Sequence, residues 1–177
     1  MESDPEVPCE NGEPPRFLAD AMLGRLARWL RILGFDAEYF PGEDDDLLRK
    51  ARLEGRVLLT RDTRLHRRCA AGVRPVPGRD RHPPPAHLFI QSDHVMEQLR
   101  QVVAALRLDP ATPRLHRCTR CNLVLQSREK SEVLGLVPEF VWSQHRSFWA
   151  CPGCRRIYWP GTHWRRMEET IRALGTY

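Results

Sequence analysis

The run VLLTRD at residues 57–62 indicates a buried β-strand that ends on an acidic residue. A shorter run of the same kind, FLAD at residues 17–20, comes before it, and a helix-like segment follows each run. Unbroken apolar runs are typical of strands that helices cover on both faces, as in parallel sheets. Because the carboxyl ends of parallel strands lie at one edge of a sheet, Asp20 and Asp62 are expected to meet in one crevice. Acidic residues that meet in this way usually hold a metal ion.

The pattern from residue 17 to residue 108 alternates between predicted strands and predicted helices. Within the two apolar runs, the strands are expected at 17–19 and 57–60. Further strands are expected near 37–40 and 88–90, with a short one at 73–76. Apolar residues at helical spacing predict helices at about 21–33, 44–53, 62–71 and 92–108. This alternation predicts a three-layer α/β domain with a mostly parallel sheet.

Shifts in composition divide the chain into four parts. Residues 1–16 are acidic and contain several prolines, so a flexible tail is expected there. The α/β domain takes residues 17–108, the break DPATP at 109–113 is a linker, and residues 114–177 form a small module with a C-terminal helix. A chain of 177 residues with 41% hydrophobic content suffices for one substantial core and such an appendage.

Four of the six cysteines form two C-x-x-C pairs separated by 29 residues: Cys118 with Cys121, and Cys151 with Cys154. Two such pairs can place four thiolates on one ion, which favours tetrahedral Zn²⁺ in a zinc ribbon. Four protein ligands leave no open position, so the zinc is expected to be structural. Unliganded thiols and an iron–sulfur cluster are the alternatives. The histidines of this module, which the site does not need as ligands, are His116, His145 and His163.

The chain has a net charge of +5, and arginine supplies most of the surplus. Five acids oppose Arg16 alone in the first 16 residues, so the rest of the chain carries +9. Arginine makes bidentate contacts with phosphate, which favours a nucleic-acid partner over a merely soluble basic surface. A membrane-spanning helix needs about 20 consecutive apolar residues, and no segment of the sequence is that long without charged residues. Neither a membrane partner nor an organic cofactor is expected.

The cysteine pattern also predicts the cellular compartment. The cysteines outside the two pairs, Cys9 and Cys69, are isolated, and the whole set does not look like a disulfide framework. We therefore expect a reducing, intracellular location, either cytoplasmic or nuclear.

Two groups of arginines are candidates for binding substrate phosphates. Arg25 and Arg28 lie on the polar side of the first predicted helix. Arg165 and Arg166 lie in the cysteine module among several aromatic residues, a mixture that suits stacked bases and phosphates. The aromatic residues are equally well explained as the core of a small ribbon.

The acids at predicted helix starts are Asp20, Asp62 and one or more of Asp44, Asp45 and Asp46. Taken singly, each is well explained as a helix cap, which stabilises by ~1 kcal/mol. Together at one sheet edge, carboxylates repel one another unless a cation lies among them, and oxygen ligands select Mg²⁺ or Mn²⁺. Such ions activate water and neutralise a leaving oxygen, so the pattern predicts hydrolysis of phosphodiesters.

The chain resembles the Mut-seven C-terminal ribonuclease domain family, in which a PIN-like nuclease domain is fused to a zinc ribbon. The likeness extends from Phe17 to about Leu174. The motifs that carry it, in order, are FLADAMLGRLARWLRILGF (17–35), EDDDLLRKA (43–51), VLLTRD (57–62), the double C-x-x-C pattern and YWPGTHWRRM (158–167).

This resemblance implies a PIN-like α/β/α fold, a divalent metal and RNA cleavage. Asp20 and Asp62 fall on the family's strand-end acids, and Asp44 falls on the acid before the second helix. A shift of one residue would put Asp45 or Asp46 there instead. The resemblance also places Arg61 beside the metal edge, where it could bind the scissile phosphate.

The chain departs from the PIN-like pattern at Arg64, where many such nucleases carry another acid two residues after the strand-end aspartate. Asp93, which follows a later predicted strand, is a candidate for the further ligand. An ordinary helix cap, from Ser92 or Asp93, is the better explanation of that residue.

The leading hypothesis is a metal-dependent ribonuclease in which Asp20, Asp44 and Asp62 bind Mg²⁺ or Mn²⁺. In this hypothesis the zinc ribbon helps to hold single-stranded or structured RNA. The competing hypothesis, motivated by Arg64, is a non-catalytic RNA-binding protein with a degenerate PIN-like domain. A phosphorylated receiver-like switch would also gather aspartates at a sheet edge, but it leaves the cysteine module unexplained.

Overall fold

The computed structural model describes residues 14–71, 85–109 and 116–172, without the side chains of His163, Arg165 and Arg166. The predicted strand at 73–76 and most of the predicted tail and linker lie outside these ranges. The chain divides into two compact units, Met1–Leu30 with Phe35–Leu108 and Arg31–Gly34 with Asp109–Tyr177. The predicted division of the chain into four parts stays a prediction.

The first unit contains a four-stranded, fully parallel sheet in the order β2-β1-β3-β4. Residue pairs Phe17↔Val57 and Ala19↔Leu59 set the register of the two central strands. The elements in chain order are β1 (Phe17–Ala19), α1 (Gly24–Ile32), β2 (Ala37–Tyr39), α2 (Asp44–Leu53), β3 (Val57–Thr60), α3 (Thr63–Ala70), β4 (His87–Phe89) and α4 (Val95–Ala105).

Both faces of the central strands are covered, since every residue of β1 and β3 is buried. Leu18 and Leu58 pack with apolar residues of α2 and α3 on one face. The residues that alternate with them, such as Phe17 and Leu59, point to the opposite face and are also fully buried. This double burial explains why both runs are apolar without interruption.

The strand order fixes where the helices lie. The step from β1 to β2 runs one way along the sheet, and the steps to β3 and β4 run the other way. Right-handed crossovers therefore place α1 on one face and α2 and α3 on the other. The direction of winding reverses between β1 and β3.

The second unit holds a three-stranded antiparallel sheet, β5-β6-β7. Val133, Val141 and Phe148 form a small buried cluster beside it. Its elements are β5 (Gln126–Arg128), a 3-10 helix (Lys130–Val133), α5 (Glu139–Gln144), β6 (Phe148–Ala150), β7 (Ile157–Tyr158) and α6 (Thr162–Arg172).

The predicted fold class is confirmed: an α/β domain with a parallel sheet, and a four-cysteine cluster that could form a zinc ribbon. Within the described ranges, none of the helices has both the length and the apolar character to cross a bilayer.

Candidate functional site

The edge at which β1 and β3 end is the place where an open α/β sheet can form a crevice. These neighbouring strands are followed by helices on opposite faces, so the chain separates just beyond them. Ligands of open α/β sheets bind at such a reversal, outside the carboxyl ends of the strands. Asp20 follows β1 directly, and Arg61 and Asp62 follow β3.

Asp20 is a buried carboxylate, 5% exposed, that accepts hydrogen bonds only from neutral donors. Its Oδ2 accepts from Thr60 Oγ1 at 2.7 Å and from the backbone N–H of Arg61 at 2.9 Å. Its Oδ1 accepts from the backbone N–H of Met22 at 2.8 Å. Among the described residues, no lysine, arginine or histidine side chain pairs with it. The protein therefore fixes this carboxylate in place without a cationic partner there.

Asp62 is the N-cap of α3, so the cap explanation holds for this residue. Its Oδ1 accepts from the backbone N–H groups of Arg64, at 2.7 Å, and Leu65, at 3.1 Å. Its own N–H donates to Thr60 Oγ1 at 3.0 Å. The Thr60 hydroxyl thus joins both candidate acids, because it donates to Asp20 and accepts from Asp62. Sequence reasoning missed Thr60, although it stands between the apolar run and the acid.

The acids of α2 have cationic partners. Asp44 Oδ2 lies 3.4 Å from Nη1 of Arg68 on α3, and Asp45 also pairs with Arg68. Asp46 Oδ1 lies 2.7 Å from Nη2 of Arg49. The hydrogen bond with Asp45 raises the pKa of Arg68. Arg68 carried no signal in the sequence, because its partners come from another helix.

The structure therefore links Asp20 and Asp62 through Thr60 and leaves Asp44 with Arg68. Within the described residues, the four cysteines are the one group of three or more acids, histidines or cysteines close enough to share a metal ion. No such group is formed by Asp20, Asp44 and Asp62 with their side chains as described.

Arg61 is anchored at the candidate edge through its backbone N–H, while its guanidinium forms an ion pair with Asp93. Asp93 is 79% exposed and does not cap α4, whose N-cap is His94 without a side-chain hydrogen bond. The predicted cap at Ser92 or Asp93 is wrong, because the Arg61 guanidinium pairs with Asp93 and the helix begins at Val95. Arg25 and Arg28 are exposed on α1. The side chains of Arg165 and Arg166 lie outside the described residues.

The second site is the cysteine cluster, in which the Sγ atoms of Cys118, Cys121, Cys151 and Cys154 lie within 4.8 Å of one another. Sγ atoms on a tetrahedral Zn²⁺ ion, with bonds of about 2.3 Å, stand about 3.8 Å apart. The distance between Cys118 Sγ and Cys154 Sγ is 3.7 Å. Four soft donors at this spacing fit a structural metal such as zinc.

Each C-x-x-C pair forms a tight turn of the same design. The residue after the second cysteine has a left-handed backbone, Asn122 at φ 65° and Arg155 at φ 59°. A backbone N–H of each turn points at sulfur, from Cys121 to Cys118 at 3.2 Å and from Cys154 to Cys151 at 3.5 Å. These turns explain how two short motifs bring four thiols together.

Tyr158 of β7 supports the cysteine cluster from outside, a contact that the sequence did not predict. Burial and the hydrogen bond with Cys118 raise the pKa of Tyr158 to about 12, and the Tyr158 hydroxyl lies 3.2 Å from Cys118 Sγ. Burial alone would raise the pKa of Cys118, but the bonds from Tyr158 and from backbone N–H groups lower it to about 6. The bond with Cys154 raises the pKa of Cys121 to about 12. Thiolates this close repel one another, and a cation among them would offset that repulsion.

An α/β domain with a parallel sheet and a cluster of four cysteines that could hold a metal ion defines the class of this protein. The family model described as the Mut7-C RNAse domain matches residues 15–171, nearly the whole chain. The chain belongs to this family, which points to ribonuclease-type activity with RNA as the substrate. No curated protein and no solved structure matched the chain.

Proposed function

We propose that this chain is a divalent-metal-dependent ribonuclease whose active site lies at the carboxyl edge of β1 and β3. The observation that carries the proposal is the environment of Asp20, a buried carboxylate with neutral donors and no cationic partner among the described residues. A buried charge is costly unless another charge compensates it. Mg²⁺ or Mn²⁺ would supply that charge and prefers oxygen ligands.

In this proposal Asp20 and Asp62 hold the ion, and Asp44 completes the set. Thr60 keeps the Asp20 carboxylate in one orientation and ties the chain at Asp62 to it. Asp44 must exchange its contact with Arg68 for the ion. When bound, the metal would supply an activated water and compensate the charge on the leaving oxygen.

The arginines near this edge would position the RNA. Arg61 would bind the scissile phosphate after leaving Asp93, and the exposed side chains of Arg25 and Arg28 would attract the strand. We further propose that the zinc ribbon assists in binding, since several of its arginines, including Arg155 and Arg156, are exposed.

The test is cleavage of labelled single-stranded RNA by zinc-loaded protein, with Mn²⁺ or Mg²⁺ added or omitted. We expect cleavage only with the added metal, and a loss of at least about 100-fold in the Asp20→Asn and Asp62→Asn double variant, because electrostatic stabilisation is a large term in phosphoryl chemistry. The matched control is Glu139→Gln, an exposed acid of the ribbon, which should keep its activity. Cleavage that survives the double substitution contradicts the proposal.

A second candidate is a non-catalytic RNA-binding protein. The pairing of Asp44 with Arg68 favours it, because the third acid is then unavailable to an ion. RNA binding that falls with salt, does not change when Mn²⁺ is added, and gives no product after long incubation would support this candidate.

A further inference from the structure

A cavity of about 360 Å³ opens on the second unit, here called the ribbon. Its lining residues lie between Arg128 and Ile157, far along the sequence from the acids of the sheet edge. Its apolar wall includes Val133, Ala150 and Ile157, and its charged lining includes Arg128, Glu132 and Arg155. Ala150 and Ile157 are paired residues of β6 and β7, so this part of the cavity wall is formed by the β-sheet and not by a loop.

The mouth of this cavity exposes apolar surface to water. Leu136 lines it and is 67% exposed. A concave site with an apolar wall and a few polar groups, with a volume in the range of about 300–1,000 Å³, is typical of ligand pockets. An aromatic ring that is flat and largely apolar would fit this surface.

The charges of the lining favour an anionic ligand. Glu132 is already engaged, since it accepts from the N–H of Glu129 at 2.7 Å and lies 3.4 Å from Nη1 of Arg128. Arg155 is exposed, and its guanidinium has no hydrogen-bond or ion-pair partner among the described side chains. One uncompensated cation thus stands beside an apolar pocket.

The backbone of Arg155 is set by the second cysteine turn, and this makes a clean substitution possible. Its φ of 59° is left-handed, a conformation that glycine adopts freely and that asparagine tolerates. Asn122, the equivalent residue of the first cysteine turn, follows that preference at φ 65°. Glycine at either position therefore suits the backbone and leaves the cysteine turn in place.

We infer that this cavity holds one unstacked nucleobase of the RNA strand, with the Arg155 guanidinium on a neighbouring phosphate. The inference rests on the proposed function, because it names how the ribbon would hold the substrate. A single strand can turn a base out of its stack into such a pocket, whereas a duplex cannot do so without unpairing. The ribbon would therefore select single-stranded over duplex RNA.

The first test is the Arg155→Gly variant, assayed by fluorescence anisotropy with a labelled single-stranded RNA. The zinc-loaded protein is used without Mg²⁺ or Mn²⁺. Glycine removes the guanidinium and suits the left-handed backbone, so we expect binding weaker by about tenfold with an unchanged or higher melting temperature. Asn122→Gly, which makes the same backbone change outside the cavity, and Arg49→Ala, which removes an exposed arginine outside the ribbon, should change the Kd by at most about twofold.

The second test separates the base from the phosphate. An RNA of the same length and charge that lacks its bases should bind the wild-type protein more weakly, and Leu136→Ser should weaken binding only of the strand that carries bases. Because Leu136 is exposed, its replacement leaves the core intact.

Two results would overturn the inference: Arg155→Gly binding within about twofold of the wild type, or equal affinity for the strand without bases. Either would be expected if the exposed apolar surface receives a protein instead. These binding results do not depend on cleavage. A protein that binds as expected but never cuts would contradict the proposed function and leave the cavity assignment standing.

Discussion

The two edges of the parallel sheet treat carboxylates in opposite ways. At the amino edge, Arg56 is 8% exposed and its guanidinium meets Asp36 at 2.6 Å and Glu54 at 2.6 Å. Lys50 adds contacts with Glu38 at 3.1 Å and Glu54 at 2.8 Å. At the carboxyl edge, Asp20 receives only a hydroxyl and two backbone N–H groups.

This difference separates structural acids from candidate functional ones. Every acid of the amino-edge cluster has a cation supplied by the protein, so the cluster is complete as it stands. The Asp20 carboxylate also has several hydrogen bonds, but its charge is balanced by dipoles alone within the described residues. The charge of the groups that contact an acid, more than the burial of the acid, therefore indicates whether it is a candidate for binding a cation.

The largest effect is expected at the amino edge. Arg56 is the buried cation of this cluster, and removing one member of a buried ion pair is strongly destabilising, so Arg56→Ala should lower the free energy of unfolding by about 3–5 kcal/mol. Urea denaturation measures this directly. Arg49→Ala breaks the exposed pair with Asp46 and should cost at most about 1 kcal/mol. Equal effects of the two variants would mean that the amino-edge cluster is no more important than a surface pair.

A smaller effect is expected from metal at the carboxyl edge. Mn²⁺ at 100 times its Kd should stabilise the zinc-loaded protein by about 2.7 kcal/mol, because it binds the folded state. Asp20→Asn should abolish this gain, measured as the shift in the melting temperature. Glu38→Gln, at the amino edge, should retain it. An equal stabilisation by Mn²⁺ in both variants would show that the ion does not bind at Asp20, and the two edges would then not differ in metal binding.

Much of the first unit follows from its sequence, because local pattern and tertiary burial agree there. The strand Val57–Thr60 and the start of α2 at Asp44 lie where they were predicted. The helix α1 begins at Gly24 instead of near residue 21, because Asp20 holds the N–H of Met22 and forms a turn first. The helix α4 ends at Ala105, shortly before Arg107, which has a left-handed backbone at φ 49°.

The candidate sites were predictable where one motif supplies all the parts. The two C-x-x-C motifs contain all four cysteines, and the cluster is confirmed. The acids at the sheet edge depend on partners from elsewhere in the chain, such as Thr60 for Asp20 and Arg68 for Asp44. Those partners are set by packing between elements, which sequence spacing does not specify. The roles of Asp20, Asp44 and Asp62 therefore stay predictions.

The smallest expected effect is on the pH dependence of stability, through an acid of the amino-edge cluster. The hydrogen bonds from Lys50 and then from Arg56 lower the pKa of Glu54 below its usual 4.5. In the folded protein Glu54 thus stays ionised at pH values where the unfolded chain has begun to take up its proton. This acid consequently stabilises the fold above pH 4.5, and the contribution is lost as the pH falls from there through the folded-state pKa. Glu54→Gln should have a shallower loss of stability between about pH 5 and pH 3, measured by urea denaturation at several pH values.

The control is Gln126→Glu, which adds an acid at an exposed position of the ribbon. It should leave the contribution of Glu54 to the pH dependence unchanged. A pH profile of Glu54→Gln identical to that of the wild type would show that the amino-edge cations do not act through this carboxylate, and the contrast between the two edges would then rest on Asp36 and Arg56 alone.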